Sequence, residues 1–360
     1  MTSAFLDTYR LSTRCPYTFK EIAPGSTTSE FASNKPLPRN WAGSGTICIA
    51  MVGAPDSGKS VYLAVVMRLM KQLAEEFGGN WAPADTDTQT ISNEFFDKPL
   101  FEEGAKLAGT KRMTDSGSYT NKPLIFSMGK PFILGRRSQE IFVVFRDVAG
   151  EDFRNGNAQE VREQLEFLKY SDMNIFLFDP MADENIRNSL EGVSGFTSNS
   201  TYQHTGPDEV LRNLIDIVED QRPLIGLTLA KFDVLQQLKD HADDSRNLNR
   251  IMSNLGAAFN REGNPIGEPY DAVDADLLNL EISSLLELLG ARALFNLMAN
   301  PSAGEGTHFF RCFAVSALGA PIKGDEVDRT GIAPFRCLDP LRYVFNHYGI
   351  GATEAPNFQA

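Results

Sequence analysis

The segment Gly53-Ala54-Pro55-Asp56-Ser57-Gly58-Lys59-Ser60 constrains this chain more than any other feature. It fits G-x-x-x-x-G-K-[ST] at every fixed position. It also stands between a short apolar run (46–53) and a stretch of helical periodicity (61–77) that ends at Gly78-Gly79. Glycines let the backbone wrap closely around phosphates, while successive N–H groups and the helix N-terminus supply partial positive charge. In such a loop Lys59 reaches the terminal phosphates and the Ser60 hydroxyl can ligate Mg²⁺. Pro55 has no N–H to offer, and Asp56 sets a carboxylate at the rim. The phosphate-cradling set is therefore Gly53, Pro55, Asp56, Ser57, Gly58, Lys59, Ser60 and Val61.

The rest of the chain alternates apolar runs with helical patterns. PLIFSMG (123–129) and EIFVVFRD (140–147) read as two strands able to pair as neighbours. NIFLFDP (174–180), PLIGLTLAKFD (223–233) and HFFRCFAVSALG (308–319) read as three more. A helix over 207–221 starts at Pro207, and 276–298 is a long amphipathic helix carrying Leu277, Leu278, Leu280, Ile282, Leu285, Leu286, Leu288 and Leu289. This alternation predicts an α/β fold of three layers around a mostly parallel sheet. Residues 1–45, rich in Ser, Thr and Pro, read as an extended arm or appendage. Residues 46–349 form one domain with insertions at about 80–121 and 234–306, and 350–360 form a tail.

Three further elements sit at strand ends. Asp147-Val148-Ala149-Gly150 reads D-x-x-G: the carboxylate can hold Mg²⁺ through water, and the Gly150 N–H can sense a γ-phosphate. Lys231-Phe232-Asp233 reads K-x-D and resembles the base-reading element of GTPases, which implies that the aspartate accepts two hydrogen bonds from guanine N1 and N2 while the lysine stem covers the base. Ser316-Ala317-Leu318 resembles the S-A-K/L element, whose backbone touches the same base. Ligands of open parallel sheets bind at these carboxyl ends.

In this order the elements resemble the translation-factor and Ras-like superclass of GTPases. The FLFDP and FAVSALG strands, the long helical insert and the tail RCLDPLRYVFNHYG resemble more closely the bacterial double-GTPase family. The likeness covers roughly 46–349. It implies a P-loop GTPase that binds GTP, GDP and Mg²⁺ and acts as a molecular switch through regulatory or effector proteins, in a bacterial conflict or defence setting. This chain departs from the pattern at Ala230, where the family places Asn or Thr.

The resemblance also implies a switch threonine before the second strand. Thr110, Thr114 and Thr120 are the candidates, with Thr114 and Thr120 best spaced to join Ser60 and Asp147 at the metal. The catalytic set is Lys59, Gly150 and Glu151. Glu151 stands where many GTPases place a water-orienting Gln, and its charge opposes the γ-phosphate, so hydrolysis is expected to be slow without a partner. Arg112, Arg137, Arg146 and Arg154 are in-chain arginine candidates. Two alternatives stay open: an ATPase using Asp179 as its metal residue, and a nucleotide-locked scaffold with negligible hydrolysis.

Composition excludes other classes. With 34 Lys+Arg against 47 Asp+Glu the net charge is −13, which argues against a broad nucleic-acid surface or an anionic membrane patch. No apolar run reaches the roughly 18–20 residues of a membrane span, and the opening MTSAFLDTYRLSTR has no secretory core, so a cytoplasmic location is expected. The four cysteines cannot build a disulfide scaffold; Cys15-Pro16-Tyr17-Thr18 resembles one half of a C-x-x-C zinc knuckle, but Thr18 replaces its second cysteine and there is no second ligand pair, so no structural zinc is expected. Oligomeric state is left open.

Overall fold

The computed structural model describes residues 11–23, 25–113, 115–134, 139–153, 159–190, 206–218, 221–240, 248–298, 310–320 and 332–351. Its centre is strand β1 (Gly45–Gly53), buried along its whole length. The run is apolar on both faces because both faces of the sheet are covered. Helix α1 (Lys59–Glu76) follows and ends where Gly78 takes φ +75°, a left-handed turn that glycine adopts without strain. The principal elements beyond these are β2 (Ala82–Pro83), β3 (Leu124–Ser127), β4 (Ile141–Asp147), β5 (Met173–Phe178), α2 (Pro207–Val218), β6 (Leu224–Leu229), α3 (Ala272–Leu288), β7 (Phe310–Ala314) and α4 (Asp339–His347).

These strands form one seven-stranded sheet in the order β2-β3-β4-β1-β5-β6-β7. Strand β1 runs parallel to β4 and β5; β6 and β7 continue in parallel, and β2 and β3 are antiparallel at one edge. Alternate residues of β1 feed two cores. Cys48, Ala50 and Val52 pack with α2 and α3, and Ile47, Ile49 and Met51 pack with α1 and α4. The fold is thus the expected three-layer α/β/α arrangement of P-loop nucleotide-binding proteins. Among the described residues no helix is long and apolar enough to cross a membrane.

Two local expectations are corrected. Residues 276–298 are not one helix: α3 starts earlier, capped by the Asp271 carboxylate accepting from the Asp274 N–H at 3.0 Å, and Gly290 at φ +91° separates it from a short helix, Arg292–Met298. Of its leucines, Leu278, Leu285 and Leu286 are buried, as are Ile282 and Leu289, while Leu277, Leu280 and Leu288 are exposed. The stretch 80–121 is more structured than its polarity suggests. It holds β2, a helix at Thr86–Ile91 and a more widely wound helical run, Ser92–Glu102. Trp81 stacks on Phe126 at 4.5 Å, which seats the two-residue edge strand.

Of the N-terminal stretch, Cys15, Phe19 and Trp41 are buried in the core on the α2 face, Trp41 lying 4.6 Å from the Phe142 ring. Asp172 ties this stretch to the sheet and to the C-terminal helix. Its carboxylate pairs with Arg14, accepts the Cys48 N–H at 2.7 Å and accepts the Tyr348 hydroxyl. Asp172→Ala leaves the mostly buried Arg14 guanidinium without its counter-charge and the buried Cys48 N–H without its acceptor, so it should lower unfolding stability by about 3–5 kcal/mol. Urea denaturation followed by circular dichroism measures this; a loss below about 1 kcal/mol would show that the tie is not a structural one.

Candidate functional site

Register brings the motifs to one edge. Met51 lies beside Asp147, Gly53 beside Leu177, Phe178 beside Leu229 and Leu229 beside Ala314. Gly53, Asp147, Asp179, Lys231 and Ser316 therefore emerge together at the carboxyl ends of five neighbouring strands.

At the loop, a Cβ on Gly53 would fall 2.1 Å from the Leu177 carbonyl oxygen, so no side chain fits there. Gly58 caps α1 at φ +89°, and Asp56 is held at φ +59°. Lys59 is buried, and its Nζ donates to the Gly53 carbonyl at 3.0 Å and to that of Ala54 at 3.4 Å. Burial pushes the Lys59 pKa down, against the opposing pull of Asp147. The Ser57 hydroxyl is buried with no hydrogen-bond partner among the described residues. Val61, half-buried, follows Ser60 in the first turn of α1.

Beside Lys59 lies a cluster of hydroxyls around one carboxylate. Ser60 Oγ and Thr110 Oγ1 are 2.8 Å apart, Thr110 donates to Asp147 Oδ2 at 3.5 Å, and the Tyr119 hydroxyl donates to the same oxygen at 2.6 Å. Asp147 is buried, which raises its pKa, while Lys59 and the Tyr119 and Thr110 hydroxyls oppose the rise. Its Oδ1 has no hydrogen-bond partner among the described residues. This set suits a hard divalent cation. Two adjacent ligands of octahedral Mg²⁺, each about 2.1 Å from the metal, lie about 3.0 Å apart, close to the Ser60–Thr110 separation. Of the two threonine candidates among the described residues, Thr110 is the one hydrogen-bonded to Ser60. Thr120 is buried elsewhere, donating to the Lys111 carbonyl at 3.2 Å and bonding Ser118 at 2.8 Å, and Thr114 lies outside the described residues.

Gly150 is pressed against the loop: a Cβ there would lie 2.6 Å from Pro55 Cδ and 2.7 Å from the Gly53 carbonyl oxygen. The next residue, Glu151, accepts from Arg112 Nε at 2.8 Å, and Asp152 accepts from the Met113 N–H at 3.4 Å, so the 110–113 segment is tied to the 150–153 turn. Arg146 instead is buried, stacked 3.8 Å over the Phe167 ring; Arg137 and Arg154 lie outside the described residues.

At the far side, Ser316 Oγ donates to Asp233 Oδ1 at 2.5 Å and accepts the Gly319 N–H at 2.9 Å. Ala317 and Leu318 continue that turn, half-buried. Lys231 Nζ donates to the Asp56 carbonyl at 2.9 Å and to Asp179 Oδ2 at 2.7 Å. Tyr119 was not legible as a site residue, since no local pattern marks a loop tyrosine; Lys231 and Asp179 stood out singly, but no local pattern marks their pairing across two strands. The four cysteines are free and buried, and burial pushes Cys48 up to about 12 and Cys312 up to about 11, where neither is a ready nucleophile.

The family model described as Double-GTPase 2 matches residues 47–280, which takes in the phosphate loop, D-x-x-G and K-x-D. A protein of Mycolicibacterium smegmatis (strain ATCC 700084 / mc(2)155), provisionally named as an ESX-1 scaffolding and assembly protein, SaeC, is 34% identical over 314 residues. The alignment covers 87% of this chain and 78% of that protein.

Gly150→Ala tests the contact between the two loops. The added methyl must displace backbone of the phosphate loop, so nucleoside triphosphate affinity should fall at least about tenfold while the folded spectrum is retained. Titration with a fluorescent triphosphate analogue reads this directly, and an unchanged affinity would refute it.

Proposed function

The chain belongs to the Double-GTPase 2 family, and from that membership and the geometry of its loops we propose that it binds guanine nucleotides and hydrolyses GTP slowly, as a switch acting through protein partners. One observation carries this reading: Ser60, Thr110 and Asp147 meet beside Lys59, with Gly150 packed on the same loop. In the proposed complex Lys59 leaves the Gly53 and Ala54 carbonyls for the β- and γ-phosphates, and the Gly150 N–H reports the γ-phosphate. Ser60, Thr110 and Asp147 hold Mg²⁺, which would neutralise charge on the phosphate oxygens. Asp233, oriented by Ser316, accepts from guanine N1 and N2.

Slow turnover follows from Glu151. Its carboxylate is repelled by the γ-phosphate and is engaged by Arg112, so it is a poor water-orienting group. The name of the M. smegmatis relative supports a role through protein partners, and in this proposal an assembly role takes the place of the defence setting. That name and the occupied Glu151 also favour a second reading, a nucleotide-locked scaffold. The ATPase alternative loses support, because Asp179 is committed to Lys231 rather than to the Ser60 cluster.

Parallel titrations with GTP, GDP and ATP test the base claim: both guanine nucleotides should bind at least about tenfold more tightly than ATP, and Asp233→Asn should shift preference toward xanthine nucleotides. Equal affinity for ATP would sink it. Single-turnover hydrolysis by the purified protein should run well below about 1 s⁻¹. Faster unaided turnover would overturn the slow-switch reading, and no phosphate release over many hours would favour the scaffold.

A further inference from the structure

Lys231 is held in a way that its own strand does not explain. It sits at φ +52°, a left-handed conformation for a residue with a side chain, two residues after the end of β6. Its stem passes over the phosphate loop, with Cε 3.8 Å from where a Cβ on Gly58 would stand, and Nζ meets the Asp56 carbonyl at 2.9 Å. The residue before it, Ala230, has only a methyl group, which cannot hydrogen-bond to brace the turn, and the Thr228 hydroxyl is turned back to the Gly226 carbonyl at 3.0 Å. The brace comes from the neighbouring strand. Asp179 follows β5, is 2% exposed, and accepts the Met181 N–H at 2.8 Å through Oδ1 while Oδ2 takes the lysine at 2.7 Å. Pro180 and the short turn behind it fix the carboxylate, so one buried anion holds a half-exposed, otherwise flexible cation against the loop.

We propose that Asp179 is a positioning residue for guanine-nucleotide binding: it locks Lys231 across the phosphate loop so that the lysine stem is preorganised to cover the base. The inference rests on the guanine-nucleotide reading above. The benefit is entropic, since the lysine is ordered before the ligand arrives. It acts on the base side of the site, so GTP and GDP gain equally and the gain does not depend on Mg²⁺.

Asp179→Asn retains the Met181 contact and the volume but loses the charge. Isothermal titration should show GTP and GDP binding each about tenfold weaker, in Mg²⁺ and in EDTA alike. In a Lys231→Met background the same substitution should add less than about twofold. Asp179→Ser, which still caps the turn, should reproduce the loss if the asparagine variant fails to fold. Wild-type affinity in the folded variants overturns the proposal. So does a loss confined to Mg²⁺, which would make Asp179 a metal residue, or an equal loss with and without Lys231, which would make it a turn former. If the wild-type chain itself does not prefer guanine nucleotides, the functional reading fails first, and this inference with it.

Discussion

Two buried opposite charges, Lys59 and Asp147, set the terms for the rest of the site. Burial works against both: it lowers the lysine pKa and raises that of the aspartate, and each is kept charged in part by the other. Neither is fully satisfied inside the protein. Lys59 has two carbonyls at 3.0 and 3.4 Å, and Asp147 has one oxygen without a hydrogen-bond partner among the described residues. Removing water from charges at this cost is sustained only if the surrounding fold is rigid. Here rigidity comes from β1, buried on both faces and flanked by parallel strands on each side. A tetra-anion with its cation would complete both coordination shells, which is why the net charge of −13 is no obstacle to binding one.

Sheet register then decides which side chains share the site. Because Met51 pairs with Asp147 and Gly53 with Leu177, the D-x-x-G aspartate emerges at the same sheet edge as the phosphate loop, and Gly150 closes directly on Pro55. A one-residue slip in β4 would turn Asp147 to the other face of the sheet. The alternating core residues Cys48, Ala50 and Val52 against Ile47, Ile49 and Met51 oppose that slip, because each set already fits its own helical layer.

What could be read in the linear sequence follows the range of the interactions. The phosphate loop, the five principal parallel strands and the antiparallel neighbour at 124–127 were legible because period and local turn chemistry encode them. The element boundaries shifted by one to several residues, and the long amphipathic stretch at 276–298 hid a break at Gly290 that only its left-handed backbone reveals. The choice among Thr110, Thr114 and Thr120 was not legible. Spacing to the next strand favoured the later two, but Phe95 and Phe96 pack on Tyr119, whose hydroxyl meets Asp147, and Thr110 lies beside Ser60. Asp179 was likewise ambiguous, since a strand-end aspartate can serve a metal or a lysine, and only the neighbouring strand's register assigns it to Lys231.

The two halves of the site differ in how they are held, and under the proposed reading the difference has a use. On the β6–β7 side, Asp233 is tied to Ser316, Lys231 to Asp179, and the Phe232 N–H to the Val315 carbonyl at 3.1 Å, so the groups that would meet the base are ordered by neighbouring strands. On the β3–β4 side, Thr110 and Tyr119 come from a long loop whose ties to the 150–153 turn are a half-exposed ion pair and a 3.4 Å hydrogen bond. Such contacts are weak and readily exchanged. A ligand differing only in its γ-phosphate would leave the first half unchanged and repartition the second. Partner proteins that read nucleotide state would then find their signal in residues 110–113 and 150–153, while nucleotide identity would be settled on the opposite side of the loop.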